Sequence, residues 1–187
     1  MFLDLRGFTA FSEATEPDEV MGVVREYHAE MGRIIMTHEG TLEHFAGDGM
    51  MIAFNDPLLV PNPEARAVTM ALMMQRALAV LAGRWSRRGH DLAMGIGIAQ
   101  GVATIGAIGY EGRLDYSAIG PVCNLAARLS GNARGGQILV PQELFARVER
   151  LVEGEPGGEL ALKGLSRPVT VYNITGMKSP RAARDIP

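Results

Sequence analysis

The fold class is decided by residues 41–54, which read TLEHFAGDGMMIAF. Two runs rich in apolar residues, 41–45 and 50–54, flank the tetrapeptide Ala-Gly-Asp-Gly. Asp-Gly is a strong hairpin signal because both residues tolerate a positive φ angle. A tight hairpin joins antiparallel strands, so this segment favours an α+β sandwich over a doubly wound parallel sheet.

A long helix is predicted on each side of the hairpin. Residues 15–18 (Thr-Glu-Pro-Asp) and 62–64 (Asn-Pro-Glu) each combine a capping side chain, an early proline and an acidic residue, which is typical of a helix start. Apolar residues then recur every three or four positions, which predicts one buried face per helix. The first stripe is Val20, Val24, Tyr27, Met31 and Ile34, and the second is Ala71, Met74, Leu78, Leu81 and Trp85.

The remaining pattern completes an α+β domain, with helices packed on one mixed or antiparallel sheet. The other predicted strands are 2–5, 94–99, 102–108, 115–119, 138–140 and 169–174, and the other predicted helices are 121–129 and 142 to about 150. The glycines near 95–109 do not spell G-x-G-x-x-G at the start of a helix, so dinucleotide binding is weakly supported. We expect one domain over residues 1–175, with a truncated first strand, and a loose tail over 176–187.

Composition excludes several functional classes. The 187 residues include 18 Lys and Arg against 21 Asp and Glu, a net charge of −3, which gives no attraction to nucleic acid or anionic membranes. The single Cys123 excludes internal disulfides and cysteine-built zinc sites. We expect no apolar stretch to approach the ~20 residues of a membrane span, and Asp4 and Arg6 interrupt any signal-peptide pattern. We therefore expect a cytoplasmic protein without a membrane span.

Two aspartates follow strands at positions that suggest a metal site. Asp4 ends the first strand and Asp48 lies at the hairpin tip, so neighbouring strands would bring both carboxylates to one edge of the sheet. Magnesium suits such a pair, because it binds one or two carboxylates and is completed by substrate phosphates. The backbone N–H groups of Gly7, Phe8 and Thr9 at a helix start would add an anion cradle. Spacing alone favours the simpler alternative, a turn residue and a strand-end charge.

A second candidate pair lies on the predicted helix 121–129. Asn124 and Arg128 are one turn apart and lie opposite its apolar side. Such a pair is most often a solvated helix face. Alternatively, it presents an amide and a guanidinium to a nucleotide, since the guanidinium fork matches phosphate. The residue types leave both interpretations open.

Taken together, these motifs resemble the class III nucleotidyl cyclases. The resemblance rests on FLDLRGFT at residues 2–9, FAGDG at 45–49, DYSAIG at 115–120, NLAARL at 124–129 and LKG at 162–164, ahead of Pro-Val at 168–169. It runs from the start of the chain to about Ile174 in the family's order. It implies a ferredoxin-like domain that forms homodimers with two shared active sites, and it implies an N-terminal sensor domain or a regulatory partner.

The resemblance also implies a reaction, in which a nucleoside triphosphate becomes a 3′,5′-cyclic monophosphate and pyrophosphate. Asp4, Asp48 and the carbonyl of Leu5 would bind two Mg²⁺ or Mn²⁺ ions, which activate the ribose 3′-hydroxyl and hold the triphosphate.

Three further positions match residues that the family supplies from the other chain of the dimer or from its late motif. Arg128 would stabilise charge on the α-phosphate and Asn124 would orient the ribose. Lys163 would bind the terminal phosphates.

Base choice depends on His44 and Ser117, which match neither family pattern. Adenylate-specific members usually carry lysine and aspartate or threonine at these positions, and guanylate-specific members carry glutamate and cysteine. The Ser117 hydroxyl can replace threonine, since it both donates and accepts, so the prediction is ATP. The alternatives are a cyclase acting on GTP and a degenerate nucleotide-binding regulatory module.

Overall fold

The computed structural model describes residues 1–179, and this part of the chain contains nine strands and five helices. The strands are β1 (Phe2–Arg6), β2 (Thr41–Ala46), β3 (Gly49–Ala53), β4 (Ala93–Gly97), β5 (Thr104–Tyr110), β6 (Arg113–Ile119), β7 (Ile138–Pro141), β8 (Val152–Leu160) and β9 (Val169–Met177). The helices are α1 (Phe8–Ala14), α2 (Pro17–Thr37), α3 (Pro63–Ser86), α4 (Pro121–Asn132) and α5 (Gln142–Val148).

Seven of these strands form one sheet in the order β2-β3-β1-β4-β7-β9-β8, and β5 and β6 form a separate hairpin. Neighbours in the large sheet are antiparallel except β4 and β7, which are parallel. The first four strands alternate with α2 and α3 in the β-α-β-β-α-β order of a ferredoxin-like unit. The predicted α+β sandwich is therefore confirmed.

The hairpin of β2 and β3 forms where the sequence predicts it. Ala46 pairs with Gly49 across the turn, and Gly47 adopts a φ of 64°. The register shifts between Leu42 and His44, so Glu43 is the extra residue of a β-bulge. A bulge redirects side chains locally, and this one lies beside a candidate base-reading residue.

Helices α2 and α3 contribute 14 of the 30 buried residues in the main core. The predicted stripe of α3 is buried throughout, from Ala71 to Trp85. The last three residues of the α2 stripe are buried as predicted, but near its start Val23 is fully buried and Val24 is only half-buried. Trp85 also donates from Nε1 to Glu26 Oε2 at 3.1 Å, which ties the two helices together.

Helix α3 corrects one expectation from the sequence. It has 24 residues and a mean hydropathy of 1.3 in its most apolar window, and it is the one helix in the described residues that is long and apolar enough to cross a membrane. Its apolar residues instead form core: they include Val68, Met70, Met74 and Leu78, none more than 3% exposed. Apolar content alone does not separate a core helix from a membrane span.

Helix α4 packs on the opposite face of the sheet. Alternation along β4 directs Met94 and Ile96 into the main core and Gly95 and Gly97 towards α4. A Cβ on Gly97 would overlap the backbone of α4 at Ser130 and Ala126. The two glycines therefore allow α4 to lie directly on the backbone of β4.

The sequence missed β8, and it placed the end of β9 too early. β8 is an edge strand that contains Pro156, two adjacent glycines and three glutamates, and edge strands tolerate such residues because one side makes no ladder bonds. β9 continues to Met177, which pairs with Val152, so it enters the segment predicted as a tail. The part of that tail over 180–187 lies outside the described residues.

Candidate active site

The two candidate metal ligands meet at the edge of β1. Leu3 pairs with Met50 of β3, and the N–H of Leu5 donates to Asp48 Oδ2 at 3.0 Å. The hairpin tip thus folds back onto the strand that carries Asp4. Burial and, after it, the neighbouring Asp4 carboxyl group together raise the pKa of Asp48 to about 6. The two aspartates therefore lie beside each other, and metal binding by them stays a prediction.

This arrangement fits a divalent cation. Two carboxylates held side by side repel each other unless a positive charge lies between them. The carbonyl of Leu5 lies on the same side of β1 as its N–H, which faces Asp48. An added Cβ on Gly49 would lie 3.5 Å from both Asp4 Oδ1 and the Leu3 carbonyl oxygen, so the glycine keeps this side open. These are hard oxygen donors, as magnesium and manganese prefer.

No cluster of three or more His, Cys, Asp or Glu side chains occurs among residues 1–179. Asp4 and Asp48 would therefore be the carboxylate ligands, and carbonyl, water or phosphate oxygens would complete the coordination. Magnesium is commonly bound in this way, with few protein carboxylates and several outside ligands.

The predicted anion cradle begins immediately after β1. Gly7 takes a φ of 84° and precedes the seven-residue helix α1. A Cβ at this position would also approach the Asp91 carbonyl oxygen at 2.8 Å, so two constraints require glycine. Phe8 is half-buried and Thr9 is exposed. Phosphate binding by Gly7, Phe8 and Thr9 stays a prediction.

The two candidate base-reading residues lie on adjoining strands of one protomer. His44 is exposed on β2, and Ser117 is half-buried on β6. The Ala118 N–H, next to Ser117, donates to Glu43 Oε2 at 2.9 Å. Glu43 therefore joins the two strands beside both candidates. Sequence reasoning missed Glu43, because only the β-bulge turns its side chain towards β6.

Helix α4 presents the third pair. Asn124 and Arg128 are both exposed, one turn apart, while Ala126 and Leu129 on the other side are buried. The pair therefore faces outwards. An outward-facing guanidinium and amide could serve a partner chain, which fits a site shared between two protomers.

Lys163 follows a buried anchor. Leu162 packs with Leu129 of α4 in a second apolar cluster, and Lys163 beside it is exposed. Neither Lys163 nor Arg128 takes part in an ion pair within residues 1–179. The Lys163 ammonium group is therefore exposed and unpaired among these residues, next to a leucine that packs against α4.

Two cavities adjoin these residues. One, of about 260 Å³, is lined by Asp4, His44 and Gly49 together with residues of α4. The other, of about 360 Å³, is lined mainly by apolar side chains and includes Ala118 and Cys123. Cys123, which the sequence uses only to exclude disulfides and cysteine-built zinc sites, directly precedes Asn124. The larger volume is in the range of small-molecule sites, and the smaller one is just below it.

Comparisons with known proteins agree with this geometry. The family model "Adenylate and Guanylate cyclase catalytic domain" matches residues 1–176. Adenylate cyclase 1 of Rhizobium meliloti is 29% identical over 180 residues, covering 95% of this chain and 27% of that protein. Adenylate cyclase of Anabaena cylindrica is 28% identical, covering 93% of this chain and 36% of that protein. The chain thus spans about a third or less of these relatives' length.

Two solved structures are similar along nearly their whole length. The adenylyl cyclase CyaB from P. aeruginosa has a TM-score of 0.90 and 33% identity, with 100% of this chain and 94% of that chain covered. The guanylyl cyclase Cya2 has a TM-score of 0.89 and 33% identity, with 96% and 91% covered. The two share the same identity with this chain, so likeness alone does not choose between the bases.

Proposed function

Since the chain belongs to the family of adenylate and guanylate cyclase catalytic domains, we propose that it converts ATP to 3′,5′-cyclic AMP and pyrophosphate at sites shared by a homodimer. The observation that carries this proposal is the pairing of Asp4 and Asp48, where Asp48 is fixed by the Leu5 N–H and its pKa is raised to about 6. A fold that keeps two carboxylates in this arrangement is suited to a divalent cation and a polyphosphate.

In the proposed reaction the ribose 3′-hydroxyl gives its proton to solvent water and its oxygen forms a bond to the α-phosphorus. The bond from that phosphorus to the bridging oxygen of pyrophosphate breaks, and pyrophosphate leaves with the electron pair. Asp4, Asp48 and the Leu5 carbonyl would hold two Mg²⁺ or Mn²⁺ ions, which supply positive charge for the 3′-oxygen and the triphosphate when bound. Arg128 donates hydrogen bonds to α-phosphate oxygens as negative charge develops, and such a donor is worth on the order of 10²–10³ in rate.

The other residues bind and orient the substrate. Asn124 hydrogen-bonds the ribose, and Lys163 and the N–H groups that follow Gly7 neutralise the remaining phosphates. His44 and Ser117 contact the base edge. The Ser117 hydroxyl donates and accepts, so it suits the amine and ring nitrogen of adenine.

Exposed apolar side chains on the β5–β6 hairpin, which also carries Ser117, support a homodimer. On the hairpin of β5 and β6, Tyr110, Leu114 and Ile119 are 70%, 66% and 58% exposed. Because side chains alternate along a strand, Leu114 faces the opposite side of the hairpin from Tyr110 and Ile119, so both sides offer large apolar side chains that a partner would cover. In a two-fold dimer, the aspartates of one protomer would face Asn124 and Arg128 of the other.

The experiment uses purified protein with Mn²⁺ and either ATP or GTP, and detects the cyclic product by mass spectrometry. Cyclic AMP in excess over cyclic GMP is expected. The reverse preference would overturn the choice of base and support the GTP alternative. Nucleotide binding without product from either substrate, in an intact dimer, would support a degenerate regulatory module instead.

Shared sites are tested by mixing two inactive variants, Asp48→Asn and Arg128→Gln. A mixed dimer has one site with both residues intact, and random pairing makes half of the dimers mixed, so about a quarter of native activity should return. If each protomer contained its own complete site, mixing would restore nothing.

A further inference from the structure

Arg6 of β1 connects the candidate metal edge to the far end of α4. Its Nη1 lies 3.2 Å from Asp4 Oδ2. Its Nε donates to the Ala133 carbonyl oxygen at 2.8 Å, and its Nη2 donates to the Ser130 carbonyl oxygen. A guanidinium has a rigid fork of donors, so the three contacts fix its position. In the sequence, Arg6 belongs to the FLDLRGFT motif, and no role of its own is predicted for it.

The surroundings are shaped for this guanidinium. A Cβ on Gly95 of β4 would overlap Arg6 Nη2 and would lie 2.7 Å from the Ala133 carbonyl oxygen. The side chain of Arg6 is 26% exposed, so much of it is removed from water. The guanidinium thus lies between a glycine that leaves room for it and two carbonyl oxygens that accept its hydrogen bonds. Such surroundings are specific for an arginine.

The two carbonyls belong to the C-terminal end of α4. The last carbonyls of a helix lack partners within the helix and carry partial negative charge. Arg6 therefore caps α4, and α4 also carries Asn124 and Arg128. One side chain thus contacts both the candidate metal ligand and the helix that presents the candidate transition-state residues.

We propose that Arg6 is a positioning residue that couples cation binding at Asp4 to the rigidity of α4. The inference rests on the proposed function, because in a shared-site homodimer Asp4 and Arg128 of one protomer serve different active sites. Arg6 would then link the two sites of the dimer. When a divalent cation neutralises Asp4, the guanidinium loses its anionic partner and its remaining strong partners are the carbonyls of Ser130 and Ala133.

The test is amide hydrogen exchange of the purified chain, followed by mass spectrometry, with Mn²⁺ alone as the probe. In the native protein, Mn²⁺ should slow exchange in peptides covering residues 126–134 by about fivefold or more. In Arg6→Gln, exchange there should be about tenfold faster without Mn²⁺, because two carbonyls lose a charged donor. The same peptides should then show no response to Mn²⁺.

Mn²⁺ affinity, measured by calorimetry, separates coupling from lost binding. Arg6→Gln should bind Mn²⁺ at least as tightly as the native protein, because a competing positive charge beside Asp4 is gone. Arg6→Lys keeps the charge but cannot span both carbonyls, so its exchange without Mn²⁺ should lie between the other two.

Two matched variants complete the test. Asp4→Asn leaves the contacts from Arg6 to α4 in place, so it should keep α4 protected and lose the response to Mn²⁺. Arg33→Gln removes an exposed arginine that pairs with Glu30 one turn away on α2, and it should change nothing in α4.

Two results would overturn the inference. The first is native α4 that does not respond to bound Mn²⁺, and the second is a response that persists in Arg6→Gln. Exchange needs no turnover, so the two proposals fail separately. Absent cyclic product with an intact Mn²⁺ response would overturn only the proposed function. Product formation without any response in α4 would overturn only the coupling.

Discussion

Replacing Asp48 by Asn should make the metal-free protein more stable while removing its activity. Asn retains an oxygen that can accept the Leu5 N–H, which donates to Asp48 Oδ2 at 3.0 Å in the native chain, and it is equally suited to a turn. It carries no charge, so the repulsion with Asp4 disappears. The stabilisation should therefore come from electrostatics rather than from a new contact.

The magnitude follows from the pKa of Asp48, which burial and Asp4 raise from 3.8 to about 6. At full strength this rise corresponds to about 3 kcal/mol, and solvent screening around a half-buried side chain reduces it to about 1–2 kcal/mol. For a domain of this size, each kcal/mol changes Tm by about 2–4 °C. Asp48→Asn should thus raise Tm by about 2–8 °C at pH 8 in the presence of a chelator.

The raised pKa of Asp48 determines in which direction the stability of the protein changes with pH. Below pH 3.8 Asp48 is protonated in both the folded and the unfolded chain, so its charge costs nothing. Between pH 3.8 and about 6 the unfolded chain ionises first, so the native protein loses stability as the pH rises. The gain from Asp48→Asn should therefore be complete above pH 6 and should vanish as the pH falls towards 4.

Thermal unfolding of both proteins at pH 4, 6 and 8, with and without Mn²⁺, provides the measurement. Mn²⁺ should stabilise the native protein at pH 8, because only the folded chain assembles the site, and it should have little effect on the variant. A gain that is equal at all pH values, or a loss of stability at pH 8, would refute the electrostatic explanation.

Three further predictions concern the base, the bulge and α4. His44→Lys should increase the ratio of kcat/KM for ATP over that for GTP, and an unchanged ratio would show that His44 does not contact the base. Glu43→Ala removes the acceptor of the Ala118 N–H and should raise the KM for nucleotide about fivefold, which corresponds to about 1 kcal/mol of lost positioning. Glu43→Gln keeps an acceptor and is the control. An equal rise in KM for both variants would contradict a role for this hydrogen bond. Gly97→Ala should lower the free energy of unfolding by about 2–3 kcal/mol, because the added Cβ overlaps the backbone of α4. The control Gly83→Ala on α3, where a Cβ meets no atom within 4 Å, should be neutral or slightly stabilising. Chemical denaturation measures both variants, and equal losses of stability would contradict the packing argument.

Much of the fold could be predicted because its elements have strong local signals. The hairpin follows from Asp-Gly between apolar runs, and α3 follows from its proline start and regular stripe. β8 could not be predicted, since an edge strand needs no apolar alternation and its residues are mainly glycine and glutamate. In α2, only tertiary packing decides that Val23 is fully buried while Val24 is half-buried.

The candidate site likewise contains residues that could be found in the sequence and residues that could not. Asp4 and Asp48 could be found because one lies in the first strand, the other lies at the tip of a hairpin, and the family motifs include both. Glu43 and Arg6 could not, because their partners are a backbone N–H and two backbone carbonyls far away in sequence. Contacts to the main chain leave no pattern of residue types, so they become visible only in three dimensions.

The parallel pairing of β4 with β7 has a consequence for how the chain acquires its function. Everything on the β4 side of that pairing in the large sheet comes from residues 1–97, and everything on the β7 side comes from residues 138–177. Asp4, Asp48 and His44 thus lie in a segment that is synthesised first and that already contains a four-stranded unit with two covering helices. Domains fold as units, the N-terminal ones first during synthesis. If the same order holds within this domain, we expect the half that carries the candidate cation ligands to take shape on the ribosome before Arg128 and Lys163 have been translated.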